Sequence, residues 1–92
     1  MSKRKTPTRM DLAYERGWIL QFVLSRLEPD PCERVAIIDV FTAYKAWLVR
    51  YKNTKSVLTI DGFGRLFPKG FLRKPVCFNY ETRNAIIGMK LV

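Results

Sequence analysis

Between positions 65 and 83 the chain carries Arg65, Lys69, Arg73, Lys74 and Arg83 against one carboxylate, Glu81. Cations at this density neutralise a polyanion, and arginine can also grip a phosphate or a guanine edge through paired N–H donors. Lys55 and Thr59 stand just upstream. Asn79 and Tyr80 fall between Lys74 and Arg83, where an amide and a phenol add hydrogen bonds and the ring can stack on a base.

Other chemistries find little support. With no histidine there is no Ser–His or Cys–His pair for nucleophilic catalysis. Gly62-Phe63-Gly64 lacks the third glycine and the preceding strand of a nucleotide-binding loop. The carboxylates are scattered singly, and Cys32 and Cys77 without histidine do not make up a four-ligand zinc site. Both cysteines therefore read as small buried hydrophobes. The sequence predicts no catalysis, no metal and no cofactor.

The net charge of +9 is unevenly placed. Residues 1–10 hold Lys3, Arg4, Lys5 and Arg9, whereas residues 11–44 hold three basic side chains against six acidic ones. Residues 45–92 hold ten basic side chains against Asp61 and Glu81. An acidic segment beside a basic half is the footprint of a polyanion-binding face, with the acids kept away from the phosphates. A merely solvated basic surface is the competing explanation.

These cations need a scaffold, and at 92 residues with 48% apolar content one domain with a real core is expected. Residues 1–8 are polar, basic and proline-interrupted, which predicts a flexible tail whose Lys3, Arg4 and Lys5 add non-specific contacts. The domain then spans 9–92. Leu12, Ile19, Phe22, Val23 and Leu27 follow helical spacing, and Glu28-Pro29-Asp30-Pro31 stops that helix. Val35 to Ile38 form a short apolar run, read as a brief strand or as the start of helix two. Phe41, Tyr44, Leu48 and Tyr51 mark helix two, with Asp39 as its expected N-cap and Asn53 after its end. Thr59 caps a third helix with Ile60, Phe63, Leu66 and Phe67 inward, and Pro68 ends it. Its two glycines, Gly62 and Gly64, cost about 1–2 kcal/mol relative to alanine, which asks for a close approach by another backbone or helix.

Residues 71–78 and 85–92 are β-branched or aromatic enough for two strands, with 79–84 as the hairpin tip. The expected core is Trp18, Phe22, Phe41, Tyr44, Leu48, Phe63, Leu66 and Ile87. No run reaches the roughly 20 apolar residues of a membrane span, and the N-terminus lacks a secretory h-region, so an intracellular protein without membrane contact is expected. The fold class is α+β: three helices followed by a two-stranded hairpin, in the manner of a winged helix-turn-helix.

Three segments carry a family resemblance: D-V-F-T-A-Y-K-A-W-L (39–48), L-T-I-D-G-F-G-R-L-F (58–67) and I-I-G-M-K-L (86–91). In this order they resemble the winged-helix domain of RFX-type transcription factors and of the C-terminal region of poxvirus and phage primase-helicases. The resemblance covers roughly 18–92. It implies core roles for Phe41, Tyr44, Phe63 and Leu66, a basic reader at Arg65, and Arg73 and Lys74 at the start of the wing. R-K-P-V-C-F-N-Y-E-T-R-N is not the arginine-, glycine- and tyrosine-rich wing of the RFX group, so that group's target sequence does not carry over. The viral and mobile-element branch is the nearer likeness. Its domain ends a large helicase, whereas this chain shows no ATPase motif and reads as a free-standing module.

The function expected is duplex DNA binding in transcriptional control or replication for a virus or mobile element. Lys55, Thr59, Arg65, Lys69, Arg73, Lys74, Asn79, Tyr80 and Arg83 would form the face. The rival is a protein-docking module using Tyr80, Trp47 and the glycine-flattened third helix. Single-strand or RNA binding through Tyr80 is a third reading.

Overall fold

The computed structural model describes the backbone from Arg9 to Val92 and the side chains from Leu12 onward. The expected tail, with Lys3, Arg4 and Lys5, lies outside the described residues. The elements run α1 (Arg9–Arg26), β1 (Leu27–Ala36), α2 (Ile37–Lys52), α3 (Ile60–Leu66), β2 (Arg73–Phe78) and β3 (Glu81–Leu91). The three strands form one antiparallel sheet in the order β1-β3-β2, so the architecture is α+β.

Helix α1 ends where the prolines begin, as expected, but the chain does not form a loop there. It turns straight into β1, a ten-residue strand that was legible only as a short apolar run. Pro29 pairs with Met89 and Arg34 with Ile87, so four residues of β1 bulge out against Gly88 alone. Gly88 absorbs the mismatch at φ 78°, a conformation a side chain would strain. An Asx turn, with Cys32 N–H donating to Asp30 Oδ1 at 3.1 Å, closes the bulge. Both outer strands carry prolines, Pro29 and Pro31 in β1 and Pro75 in β2.

Strand β1 runs directly into α2, which moves the helix start upstream of the expected cap. Its N-cap is Ala36, which has no capping side chain, and Asp39 lies inside the first turn, where its charge still suits the helix dipole. At the far end Asn53 adopts the left-handed C-cap conformation at φ 50°, as its position after the helix suggested. Thr59 caps α3 as expected, its Oγ1 accepting from Gly62 N–H at 3.1 Å. The apolar stripe of α2 leaves the core after Leu48, since Tyr51 is exposed.

The core is a chain of aromatic rings. Phe22 meets Tyr44 and Trp47 edge-on at centroid distances of 5.7 and 5.8 Å, and Phe63 lies 4.9 Å from Phe41 and 5.3 Å from Tyr44. Phe67 and Phe71 extend the line towards β2. Such pairs add about 0.5–1.5 kcal/mol each beyond the area they bury. Three expected core members are displaced. Trp18 and Leu66 are only partly buried against the cluster, and Ile86 is the fully buried strand residue instead of Ile87.

The hairpin turn is also tighter than expected. The tip is Asn79-Tyr80 alone, both at positive φ (47° and 71°), so β3 begins at Glu81 and not at Ala85. Along β2 Val76 and Phe78 are half-buried on the sheet face opposite Ile86, where Arg34 covers the Phe78 ring, and Cys77 is open to solvent. Cys32 sits in the bulge and is also exposed, so the expectation of two buried cysteines fails.

Candidate nucleic-acid interface

Arg65 projects from the exposed side of α3, opposite buried Phe63 and Phe67. Arg73, the first residue of β2, donates from Nη1 to the carbonyl of Gly64 at 2.8 Å. This bond ties the C-terminal half of α3 to the base of the hairpin and satisfies a carbonyl that the short helix cannot. Arg73 therefore positions α3, and its guanidinium is not wholly free for a ligand.

Arg83 lies on β3 and pairs with Glu81, Nη2 to Oε2 at 2.7 Å. The bond and the negative charge of that carboxylate hold the Arg83 guanidinium above its ordinary pKa. Both partners are well exposed, so the pair is readily exchanged for another anion. Arg65, Arg73 and Arg83 line one open groove of about 680 Å³, together with Ile37, Ile60 and Asp61. Ile60, expected inward, faces this groove.

Lys74 and Lys69 are exposed, and among the described residues neither forms a salt bridge. Lys55 is exposed in the loop before α3 and does not line the groove. Thr59 spends its hydroxyl oxygen on the helix cap. Asn79 lies against the start of α2 with Ala36, Asp39 and Phe78. Tyr80 stands fully exposed at the tip. A non-glycine residue in the left-handed region stores about 1–2 kcal/mol of strain. The two-residue hairpin turn requires positive φ at both of its positions and so imposes this conformation on Asn79 and Tyr80.

Gly62 and Gly64 lie on the same short helix. A Cβ at Gly62 would meet Leu58 at 3.4 Å and one at Gly64 would meet Arg73 at 3.7 Å, both ordinary contacts. Internal packing therefore demands neither glycine. Trp47 is buried, stacked with Tyr44 and edge-on to Phe22, and cannot serve the docking surface expected of it.

Three residues that shape this face were not legible in the sequence. Arg16 of α1 lines a second groove with Arg65 and Lys69. Arg34 of β1 places its guanidinium 5.3 Å from the centroid of the Phe78 ring, adding a cation near the hairpin tip. Both lie in the acidic part of the chain, and only the bulged strand and the helix face bring them to the basic side. The third is Glu15, a carboxylate 2% exposed that accepts from Tyr44 Oη at 2.8 Å, Ser56 Oγ at 2.6 Å and Val57 N–H at 3.0 Å. It pins the loop that delivers Lys55 and α3. Burial, and then the Glu15 hydrogen bond, push the Tyr44 phenol up from its ordinary value.

Comparison with protein-family models finds none that matches the chain, and comparison with curated proteins finds no match either. Among the described residues no three of Cys, Asp and Glu come together as metal ligands. No helix among them is long and apolar enough to cross a membrane.

Proposed function

We propose that this chain is a winged-helix DNA-binding module in which α3 and the β2–β3 hairpin track one duplex. One observation carries the reading: cations from three elements, Arg65 of α3, Arg73 of β2 and Arg83 of β3, converge on a single groove. The element order, with a strand between the first two helices and a hairpin after the third, suits that fold. Two glycines that internal packing does not require suit close approach of a phosphate backbone to α3. The exposed, strained Tyr80 suits a contact at the wing tip.

In this arrangement Lys69, Lys74 and Arg83 neutralise phosphates, Arg34 supplements them, and Arg65 is the base-edge candidate. Arg73 acts by holding α3 against the wing. The resemblance to RFX-type and primase-helicase winged helices, and a regulatory or replicative role for a virus or mobile element, belong to this proposal.

Duplex affinity measured against salt tests it. Arg65→Ala and Lys74→Ala should each weaken binding and make the slope of log affinity against log salt shallower by about 0.9 per lost phosphate contact. If Arg65 reads a guanine, its loss costs about 1–3 kcal/mol on a preferred site and little on random DNA. Folded protein that binds no duplex at low salt would refute the proposal.

A further inference from the structure

We infer that the groove between α1 and the C-terminal end of α3 docks an acidic amphipathic helix of a partner protein. The groove, of about 630 Å³, lies on the other side of Arg65 from the hairpin. Its floor is apolar, formed by Gly17, Leu20 and Phe67 among others, and its rim carries Arg16, Arg65 and Lys69 with no carboxylate among the lining residues. Leu20 is 48% exposed, and Leu24, one turn further on the same face of α1, is 77% exposed. A Cβ built at Gly17 meets nothing within 4 Å, so the floor is open to a visitor.

Two features must be satisfied together, a pair of bare leucines and a rim of one charge. A phosphodiester backbone would meet the cations and leave the leucines in water. A helix with one apolar face and flanking carboxylates meets both: its ridge lies along Leu20 and Leu24 at their i, i+4 spacing, and its acids reach the rim. The sequence alone hid this surface: Leu20 and Leu24 lie off the stripe of Leu12, Ile19, Phe22, Val23 and Leu27, but only the fold sets Leu20 beside Arg65 and Lys69.

Docking stands without the DNA proposal, but one consequence rests on it. Arg65 lines both grooves, so a seated helix and a bound duplex draw on the same guanidinium and should compete.

The experiment uses a labelled synthetic helix with leucine at every third and fourth position and glutamate elsewhere, and a control with lysine replacing glutamate. Fluorescence anisotropy should show the glutamate helix binding the full chain and the lysine helix not binding. Leu20→Ser and Arg16→Glu, both surface changes to be checked by circular dichroism, should each weaken binding about tenfold or more. Absence of binding by the glutamate helix, equal binding by the lysine helix, or an unaffected Leu20→Ser protein would overturn the inference. Duplex affinity is measured in parallel. If Leu20→Ser weakens it, the groove belongs to DNA and docking is refuted. A protein that binds the glutamate helix and no duplex leaves docking intact and refutes only the DNA proposal.

Discussion

Replacing Glu15 tests how the scaffold holds α3 in place. The carboxylate accepts three hydrogen bonds, from Tyr44, Ser56 and Val57, and bonds to a charged acceptor are worth more than neutral ones. In Glu15→Ala the Tyr44 hydroxyl is stranded in a fully buried site, at about 1–3 kcal/mol. Ser56 and Val57 are part-exposed and regain water, so each of their bonds counts for about 1 kcal/mol. The net loss should be about 3–5 kcal/mol, against a total of about 5–14 kcal/mol for a chain of this length.

Glu15→Gln separates acceptor from charge. Its carbonyl oxygen still accepts from Tyr44 and Ser56, but its amide confronts the Val57 N–H with a second donor, so about 1–2 kcal/mol should be lost. Urea unfolding followed by circular dichroism measures both variants. Amide exchange at Val57 should quicken in each. If Glu15→Ala unfolds within about 1 kcal/mol of the parent, the clasp contributes nothing. If the glutamine variant is as damaged as the alanine variant, charge outweighs the three acceptors and the argument fails.

Tyr80→Gly removes left-handed strain and should stabilise the domain by about 0.5–1 kcal/mol while weakening duplex binding; unchanged affinity would leave the tip without a binding role. Thr59→Ala uncaps α3 and should cost about 0.5–2 kcal/mol in thermal or urea unfolding, whereas an unchanged midpoint would show the cap to be idle. The raised Tyr44 pKa means that the folded state holds this proton more tightly than the unfolded chain. Its contribution is therefore full below pH of about 10 and is lost as pH rises above it, so Tyr44→Phe should flatten the alkaline fall in stability. Phe63→Ala should cost about 3–5 kcal/mol, and an unaltered melting temperature would remove Phe63 from the centre of the core.

Features set by neighbours in sequence were legible. Thr59 and Asn53 announce their caps because a cap is made within three or four residues, and the stripe at Phe41, Tyr44 and Leu48 reports one helix face. Features set at a distance were not. Two consecutive isoleucines at 86 and 87 leave the buried face of β3 open, and only the distant pairing with β1, which sets Ile86 beside core-facing Val35 and Ile87 beside exposed Arg34, decides it. β1 was masked by its prolines, which a bulge accommodates. Glu15 carries no local signal, since its hydrogen-bond partners lie 29 to 42 residues away. For the interface, the cluster of cations from 65 to 83 was visible in composition. Their convergence on one groove, the pairing of Arg73 with Gly64 and the recruitment of Arg16 and Arg34 depend on topology.

The prolines of the outer strands bear on behaviour in a crowd. A protein that collects along a polyanion raises its own local concentration, and an open sheet edge is then a template for fibre growth. Here Pro29 and Pro31 interrupt one edge and Pro75 the other, each lacking the N–H that a newly arriving strand would use. If the proposed duplex binding ranges copies side by side, these prolines hinder their joining edge to edge. Dense coating of DNA would then stay reversible, and a rise in salt should release it.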